Sequence, residues 1–196
     1  MNEAQASGGK LVILSGPSGS GKSTVVTALL KHCPVPLVLA VSATTRPARP
    51  GERDGREYYF LTPQRFQRMR ENDEFLECAE VFGNWYGTLR SEVAGRQREG
   101  KWVLLEIDVQ GALVVMEQQP DAISLFLKTP STEQYERRLR GRKTEDDQTI
   151  AKRLEGAQRE LALAPRYRYQ VVNDRVEWAV EEICNILKHE EGGCRA

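Results

Sequence analysis

Short apolar runs and amphipathic stretches alternate along most of the chain. Strand-like runs are expected at 10–15, 37–43, 102–108, 123–127 and 170–172. Helical patterns lie between most of them, at 22–32, 112–119, 132–140, 148–164 and 177–188. Strands that alternate with helices are typical of a parallel sheet covered on both faces. The pattern therefore predicts a three-layer α/β fold with a central parallel sheet.

Two stretches depart from this alternation. Residues 56–87 gather aromatic and β-branched side chains around one short helical pattern at 63–72, which predicts a small mixed α+β insert. Residues 130–169 are helical in pattern and rich in arginine: Arg137, Arg138, Arg140, Arg142, Arg153, Arg159, Arg166 and Arg168. A solvated helical hairpin explains most of these arginines, and a lid that closes over a triphosphate is the functional alternative.

Composition narrows the classes of function. The 196 residues contain 28 Lys and Arg against 28 Asp and Glu, so the chain lacks the net positive charge of proteins that bind long nucleic acids. No apolar run approaches the ~20 residues of a membrane span. Residues 1–9 also lack the apolar core of a signal peptide. We therefore expect a cytoplasmic protein whose partners are neither nucleic-acid polymers nor membranes, with loose tails at 1–9 and 190–196.

One segment matches the pattern G-x-x-x-x-G-K-[ST] at every fixed position. Its residues are Gly16, Pro17, Ser18, Gly19, Ser20, Gly21, Lys22 and Ser23. An apolar run precedes the segment and a helical run follows it, which is the context that this motif needs. Glycines let successive backbone N–H groups point into one anion-sized hollow at a helix N-terminus. Because Lys22 can reach the β and γ phosphates and the Ser23 hydroxyl can bind Mg²⁺, the sequence predicts a site for a nucleoside triphosphate with Mg²⁺.

A second phosphate site is expected where the run 37–43 ends. Arg46 and Arg49 stand three apart on a loop that two prolines hold extended. Paired guanidinium groups suit a dianionic phosphate, and ligands of parallel sheets collect at the carboxyl ends of strands. Ser42 and Tyr58 could add neutral donors. The alternative is a surface loop with two ordinary arginines.

Further along the chain, polar residues suit the recognition of a base and a metal. A carboxylate such as Glu77 accepts two parallel N–H bonds, which guanine offers at N1 and its 2-amino group and adenine does not. The nearby Tyr86 and Thr88 follow in a short motif, and the Thr88 hydroxyl could donate to guanine O6. Glu106 and Asp108 end an apolar run two residues apart, so both can face the cleft beside the phosphate loop, one of them near Mg²⁺ and Lys22. A pair that faces the surface is the alternative.

Taken in order, these fragments resemble the guanylate kinase family, whose members phosphorylate GMP with ATP. The resemblance covers about residues 10–188. It is carried by the phosphate loop and by the ordered fragments 42–52, Asp54-Gly55, Tyr58-Tyr59-Phe60, Glu74-Phe75-Leu76-Glu77, Gly83-Asn84-Trp85-Tyr86-Gly87-Thr88, Glu106-Ile107-Asp108-Val109-Gln110-Gly111 and Val172-Asn173-Asp174. The resemblance implies a P-loop domain at 10–189 with a CORE (10–37, 98–130 and 169–189), a GMP-binding region (38–97) and a LID (131–168).

The resemblance also implies roles for particular residues. GMP is expected at Ser42, Arg46, Arg49, Tyr58, Glu77, Tyr86, Thr88 and Asp108. The residues expected at the transferring phosphate are Lys22, Arg46, Arg138, Arg142 and Arg153, and Asn173 is expected near the adenine. Mg²⁺ is expected at Ser23, with Glu106 acting through water. Glu106 stands where the family often has aspartate, Trp85 where tyrosine is common, and Thr88 where serine is frequent.

The implied reaction is the transfer of the γ-phosphoryl group of MgATP to GMP, and dGMP is a further candidate acceptor. Three alternatives stay open. Residues 108–111 match the D-x-x-G pattern of GTPases, although the chain contains no N-K-x-D. Guanylate-kinase-like modules bind peptides without catalysis, although they typically lack parts of the phosphate loop. A related kinase could act on another phosphorylated acceptor.

Overall fold

The computed structural model describes residues 9–81, 83–140 and 147–192. The tail predicted at 1–9 therefore falls almost wholly outside the described residues, as do 193–196 of the C-terminal tail. Residues 190–192, which were expected to belong to that tail, continue the last helix instead. The reason is packing, because Glu190 is buried and its carboxylate accepts a hydrogen bond from the Tyr169 hydroxyl.

The centre of the fold is a five-stranded parallel sheet with the order β2-β7-β1-β8-β9. Its strands are β1 (Leu11–Ser15), β2 (Leu37–Leu39), β7 (Trp102–Glu106), β8 (Ile123–Lys128) and β9 (Tyr169–Val172). The inner strands β1, β7 and β8 are almost entirely buried apolar runs, as a sheet covered on both faces requires. The predicted α/β fold with a central parallel sheet is confirmed.

Helices cover both faces of this sheet. On one face lie α1 (Lys22–His32) and α7 (Val176–Gly192), where Leu29 and Ile183 are fully buried in one apolar cluster with β1 and β8. On the other face lie α3 (Arg90–Arg98) and α4 (Val109–Gln118), which contribute Val93 and Val115 to a second cluster. The two clusters hold the carboxyl ends of β1 and β7 in place, where the predicted site residues follow.

A second sheet forms the insert and has the order β4-β3-β6-β5. Its elements are β3 (Ser42–Thr44), β4 (Tyr59–Phe60), α2 (Pro63–Glu71), β5 (Phe75–Val81) and β6 (Asn84–Leu89). Strand β6 pairs antiparallel with both β3 and β5, whereas β3 and β4 are parallel. A small apolar cluster around Phe66 and Phe75, whose rings stack at 4.3 Å, joins α2 to this sheet.

The arginine-rich segment forms two helices, α5 (Thr132–Arg140) and α6 (Asp147–Leu161), which contact each other. A 3₁₀ turn at Ala164–Arg166 follows and leads into β9. Behind this turn, the ring of Tyr167 packs edge-on against Phe126 at 5.0 Å. The helical segment is therefore attached to the core sheet at its C-terminal end by a buried aromatic contact.

The structure differs from the predicted elements in three places. The single strand predicted at 37–43 is two strands in different sheets, because the chain leaves the core sheet after Leu39 and enters the insert at Ser42. Helix α3 was not predicted, since its sequence is mostly polar and buries only Val93. The run 102–108 ends at Glu106, and Asp108 instead caps α4 by accepting from the backbone N–H of Gly111 at 2.8 Å.

Within the described residues, no helix has both the length and the apolar composition that crossing a bilayer requires.

Candidate active site

The phosphate loop, residues 16–23, joins the buried end of β1 to the N-terminus of α1. Gly16 has a φ of 145°, and a Cβ at this position would lie 2.1 Å from the carbonyl oxygen of Leu127 on β8. Only glycine allows so close an approach. The Lys22 Nζ donates to the carbonyl oxygens of Gly16 at 2.5 Å and Pro17 at 3.3 Å, so the ammonium group lies over the loop.

The middle of the loop is a tight turn in which the backbone N–H of Ser20 donates to the carbonyl of Pro17 at 3.1 Å. Ser18 is exposed, whereas Ser20 is fully buried. Gly19 and Gly21 both have positive φ values, and Gly21 caps α1. The loop therefore presents a curved backbone at a helix N-terminus, which is the arrangement that binds phosphate oxygens.

Ser23 and Glu106 come together where α1 begins and β7 ends. The Ser23 hydroxyl donates to Oε1 of Glu106 at 2.5 Å. Both side chains offer oxygen atoms, the ligand type that Mg²⁺ prefers in proteins. These two residues fit the predicted metal.

A cavity of about 400 Å³, called here the phosphate cavity, lies between the phosphate loop, the insert and α6. Lys22 and Gly16 line it from the loop, Asp108 from the start of α4, and Arg153 and Glu160 from α6. The structure thus places Arg153, which the sequence predicts at the transferring phosphate, in the same cavity as Lys22.

Arg138 and Asn173 lie on the other side of the phosphate loop. Arg138 donates to the backbone oxygens of Asn173 at 2.8 Å and Ser20 at 3.3 Å. The Asn173 Nδ2 donates to the same Ser20 carbonyl at 2.7 Å. One carbonyl of the loop therefore receives donors from both α5 and the end of β9. Arg142, the remaining predicted lid residue, lies outside the described residues.

A second cavity of about 170 Å³, called here the insert cavity, adjoins the first. It is lined by most of the residues predicted to bind GMP: Ser42, Tyr58, Glu77, Tyr86 and Asp108, together with Glu106. The rings of Tyr58 and Tyr86 meet edge to face at 6.0 Å. Asp108 lines both cavities, so the two predicted sites share a wall.

Glu77 is held in the wall of the insert cavity by neighbours on β6 and α4. Its side chain is buried, and the Thr88 hydroxyl on β6 donates to Oε1 at 2.7 Å. Burial raises the pKa of Glu77 to about 7, with a smaller contribution in the same direction from the Asp108 carboxylate. A Cβ on Gly111 would lie 2.7 Å from Oε2, so α4 can approach this carboxylate only with glycine there. In this structure the Thr88 hydroxyl donates its hydrogen bond to Glu77, so Thr88 positions the carboxylate.

Arg46 and Arg49 lie in different environments. The Arg46 guanidinium makes a two-pronged ion pair with Glu52, at 2.9 Å and 3.0 Å, and lies 5.4 Å from the ring centroid of Tyr58. The hydrogen bonds that Arg46 donates to Glu52 raise the pKa of Arg46. Arg49 is exposed, and its backbone N–H donates to the same Glu52 carboxylate at 2.7 Å. The structure therefore brings Arg46 to the edge of the insert cavity and leaves the Arg49 side chain in solvent.

Sequence reasoning missed three residues of this site. Glu52 and Gly111 were within the recognised fragments but received no role, because an ion pair and a close backbone approach become visible only in three dimensions. Glu160 stands seven residues after Arg153 on α6. That spacing of two helical turns could have placed both residues on the same face.

Comparisons with known proteins point to one family. The family model described as Guanylate kinase matches residues 8–190. A guanylate kinase of Rhodopirellula baltica is 51% identical over 91% of this chain and 87% of that protein. One of Nostoc sp. is 45% identical over 89% of this chain and 87% of that protein. The crystal structure of guanylate kinase from Anaplasma phagocytophilum superposes with a TM-score of 0.75 at 38% identity, covering 94% of this chain and 87% of that one. The chain belongs to the guanylate kinase family.

Proposed function

We propose that this chain is an ATP:GMP phosphotransferase that moves the γ-phosphoryl group of MgATP to GMP and yields ADP and GDP. The observation that carries the proposal is the shared wall of the two cavities. Lys22 opens on one cavity, Glu77 lines the other, and Asp108 borders both. A triphosphate and a monophosphate bound in adjoining cavities bring donor and acceptor close enough for direct transfer.

On the donor side, the backbone N–H groups of the loop and the Lys22 ammonium bind the phosphates of ATP. Ser23 and Glu106 are the residues that would hold Mg²⁺, which when bound neutralises charge on the β and γ phosphates. Lys22 leaves the carbonyls of Gly16 and Pro17 to do this, exchanging neutral acceptors for charged ones. Asn173 borders the loop on the side where we place the adenosine. Arg138 leaves the carbonyls of Ser20 and Asn173 to reach the transferring phosphate.

On the acceptor side, Glu77 accepts the paired N–H groups of guanine. Tyr86 and Asp108 complete the contact surface, and Thr88 holds the Glu77 carboxylate in position. Arg46, Ser42 and Tyr58 bind the GMP phosphate. Arg49 also binds this phosphate, because the Glu52 carboxylate accepts from both the Arg46 side chain and the Arg49 backbone and so holds the two arginines on one loop. Reading a base with a buried carboxylate is selective, because a base without two adjacent donors would leave that carboxylate unpaired.

The transfer itself needs no general base. A phosphate monoester has its second pKa near ~6, so the GMP oxygen that attacks is already ionised at neutral pH. The protein supplies position and positive charge: Arg46 aligns the acceptor, and Lys22, Arg138, Arg142 and Arg153 stabilise the charge on the moving group. Closure of the α5–α6 segment over the cavity would exclude water as a competing acceptor.

We further propose that the enzyme acts in the cytoplasm on free nucleotides, with ATP and GMP as its partners. The balanced charge of the chain supports small anionic substrates over a nucleic-acid polymer.

A coupled assay of ADP formation tests the proposal. GMP is expected to give the highest kcat/KM, dGMP a lower one, and AMP almost none. Preference for another phosphorylated acceptor would show a related kinase. Hydrolysis of GTP alone would show a GTPase, and nucleotide binding without any transfer would show a non-catalytic module.

A further inference from the structure

Glu160 is a carboxylate in the phosphate cavity to which neither the motifs nor the proposed reaction gives a role. It lies on α6, two helical turns after Arg153, and both side chains line the cavity opposite Lys22. Glu160 is half-buried. Among the described residues, no side chain donates a hydrogen bond to its carboxylate, and the backbone oxygen accepts only from Leu163.

The charged groups that act on Glu160 include Lys22 on α1 and Asp108 at the start of α4. Burial raises the pKa of Glu160, the Lys22 ammonium lowers it, and the Asp108 carboxylate raises it. The Tyr167 hydroxyl, which is buried at the base of the same segment, also feels the charge of Glu160. The carboxylate therefore lies within electrostatic range of Lys22, the group that is expected to grip the ATP phosphates.

A negative charge at this place opposes the binding of a triphosphate in two ways. It repels the phosphate oxygens directly, and it attracts the cations that the phosphates need. A half-buried position makes both effects larger than they would be between exposed groups. A site built only to bind ATP tightly would have a neutral residue here.

We infer that Glu160 is a positioning residue of the α6 segment that competes with nucleotide phosphates for Lys22 and Arg153, and so weakens the binding of both ATP and ADP. The consequence, which rests on the proposed function, concerns turnover. An enzyme that grips ADP as tightly as the transition state would release it slowly, so a charge that weakens nucleotide binding raises kcat.

The test is direct binding of ATP and of ADP to the full chain, by calorimetry without GMP, for the wild type and Glu160→Gln. The amide keeps the size of the side chain and removes its charge. The dissociation constants of both nucleotides are expected to fall about 3–10-fold, and the gain is expected to shrink at high salt. Adenosine, which has no phosphate, should bind both proteins equally.

Glu155→Gln is the matched control, because Glu155 lies on the same helix, is exposed and pairs only with Arg159 among the described residues. It should change the dissociation constants by less than about 1.5-fold. In steady state, Glu160→Gln should lower both KM for ATP and kcat. Loss of structure would lower kcat without lowering KM.

ATP binding that is unchanged or weaker in both Glu160→Gln and Glu160→Ala, in variants that melt like the wild type, would overturn the inference. If the variants melt at a lower temperature, ATP binding is measured at a temperature where they are still folded and is compared with that of Glu155→Gln. Binding that is no tighter than in Glu155→Gln would then overturn the inference. Failure of the wild type to phosphorylate GMP would instead overturn the proposed function and leave the binding result standing.

Discussion

The phosphate loop and the insert cavity, which we propose bind the ATP phosphates and the guanine base, are built in opposite ways. The loop is eight consecutive residues, and its binding groups are mostly backbone N–H groups fixed by a strand on one side and a helix on the other. The insert cavity is made of side chains from β3, β5, β6, the end of β7 and the start of α4. Its geometry depends on buried contacts such as the bond from Thr88 to Glu77.

This difference predicts how each site responds to the substitution of one residue. In the loop, a single cation adds charge to a cradle that the backbone already provides. In the insert cavity, each side chain carries part of the specificity and also holds its neighbours in place. Variants of the loop should therefore affect transfer generally, and variants of the insert should affect one substrate.

Removal of the loop cation should have the largest effect. Lys22→Ala is expected to lower kcat/KM for GMP and for ATP by roughly 10³-fold, because a positioned charge on the transferring group is lost. Lys31→Ala, at an exposed position of the same helix, is the control and should keep wild-type activity. Circular dichroism should show the same melting temperature for both. Near-normal turnover in Lys22→Ala would remove the contrast between the two sites.

Removal of the insert carboxylate should be nearly as costly, but for one substrate only. Glu77→Ala is expected to lower kcat/KM for GMP by about 10²–10³-fold and to leave the dissociation constant of ATP unchanged. Glu74→Ala, exposed just before the same strand, serves as the comparison. Equal losses for GMP and ATP would contradict the assignment of base reading to the insert.

The same carboxylate should lower stability at neutral pH. The pKa of Glu77 is about 7 in the folded protein and near its usual value of 4.5 when unfolded. Between those values the folded state binds the proton that the unfolded state loses, so the free energy of unfolding falls as pH rises and levels off above pH 7. Relative to the wild type, Glu77→Gln should gain about 2–3 kcal/mol on going from pH 5 to pH 8.

Thermal unfolding at the two pH values measures that gain, and comparing the pH values cancels any constant cost of the amide. About 2–4 °C per kcal/mol is expected for a chain of this size. A difference between Glu77→Gln and wild type that does not depend on pH would show that Glu77 titrates normally.

Loosening of the acceptor loop should have the smallest effect. Glu52→Gln removes the charged partner that holds the Arg46 guanidinium and the Arg49 backbone. KM for GMP is expected to rise about 10-fold, because Arg46 then has to be ordered by the substrate itself. KM for ATP should stay constant, and a rise in both would mean that the loop supports the whole cleft.

The sequence predicts the regular parts of the fold well because their signals are local. The bounds of α1 and α5 agree with prediction to the residue, since prolines follow α1 and Ser131 precedes α5. The phosphate loop is equally local, because its pattern fixes both residue type and spacing. The division of 37–43 between two sheets has no local signal, because the apolar run continues through Ala40 and Val41 without a glycine or proline.

The sequence was enough to choose most residues of the candidate site, but not to predict the contacts between them. The choice of Glu77 was supported by its place in an ordered set of fragments. Its bond from Thr88 and its contact with Gly111 depend on how β6 and α4 pack. The role of Glu52 depends on how the loop that carries Arg46 and Arg49 folds back on itself. Spacing along α6 could place Glu160 beside Arg153, but its position across a cavity from Lys22 depends on tertiary packing.

The chain leaves the core sheet at the end of β2 and re-enters it at β7, and these two strands are hydrogen-bonded neighbours in register, with Leu37 opposite Trp102. The whole acceptor region is thus an enlarged crossover between adjacent strands, grown from a connection that a minimal sheet would make with one helix. We therefore expect that residues of this segment can be substituted, or the segment exchanged for one that fits a different monophosphate, without changing the strand pairing of the core sheet. Under the proposed function, the acceptor and the phosphate donor therefore bind to parts of the fold that belong to different sheets.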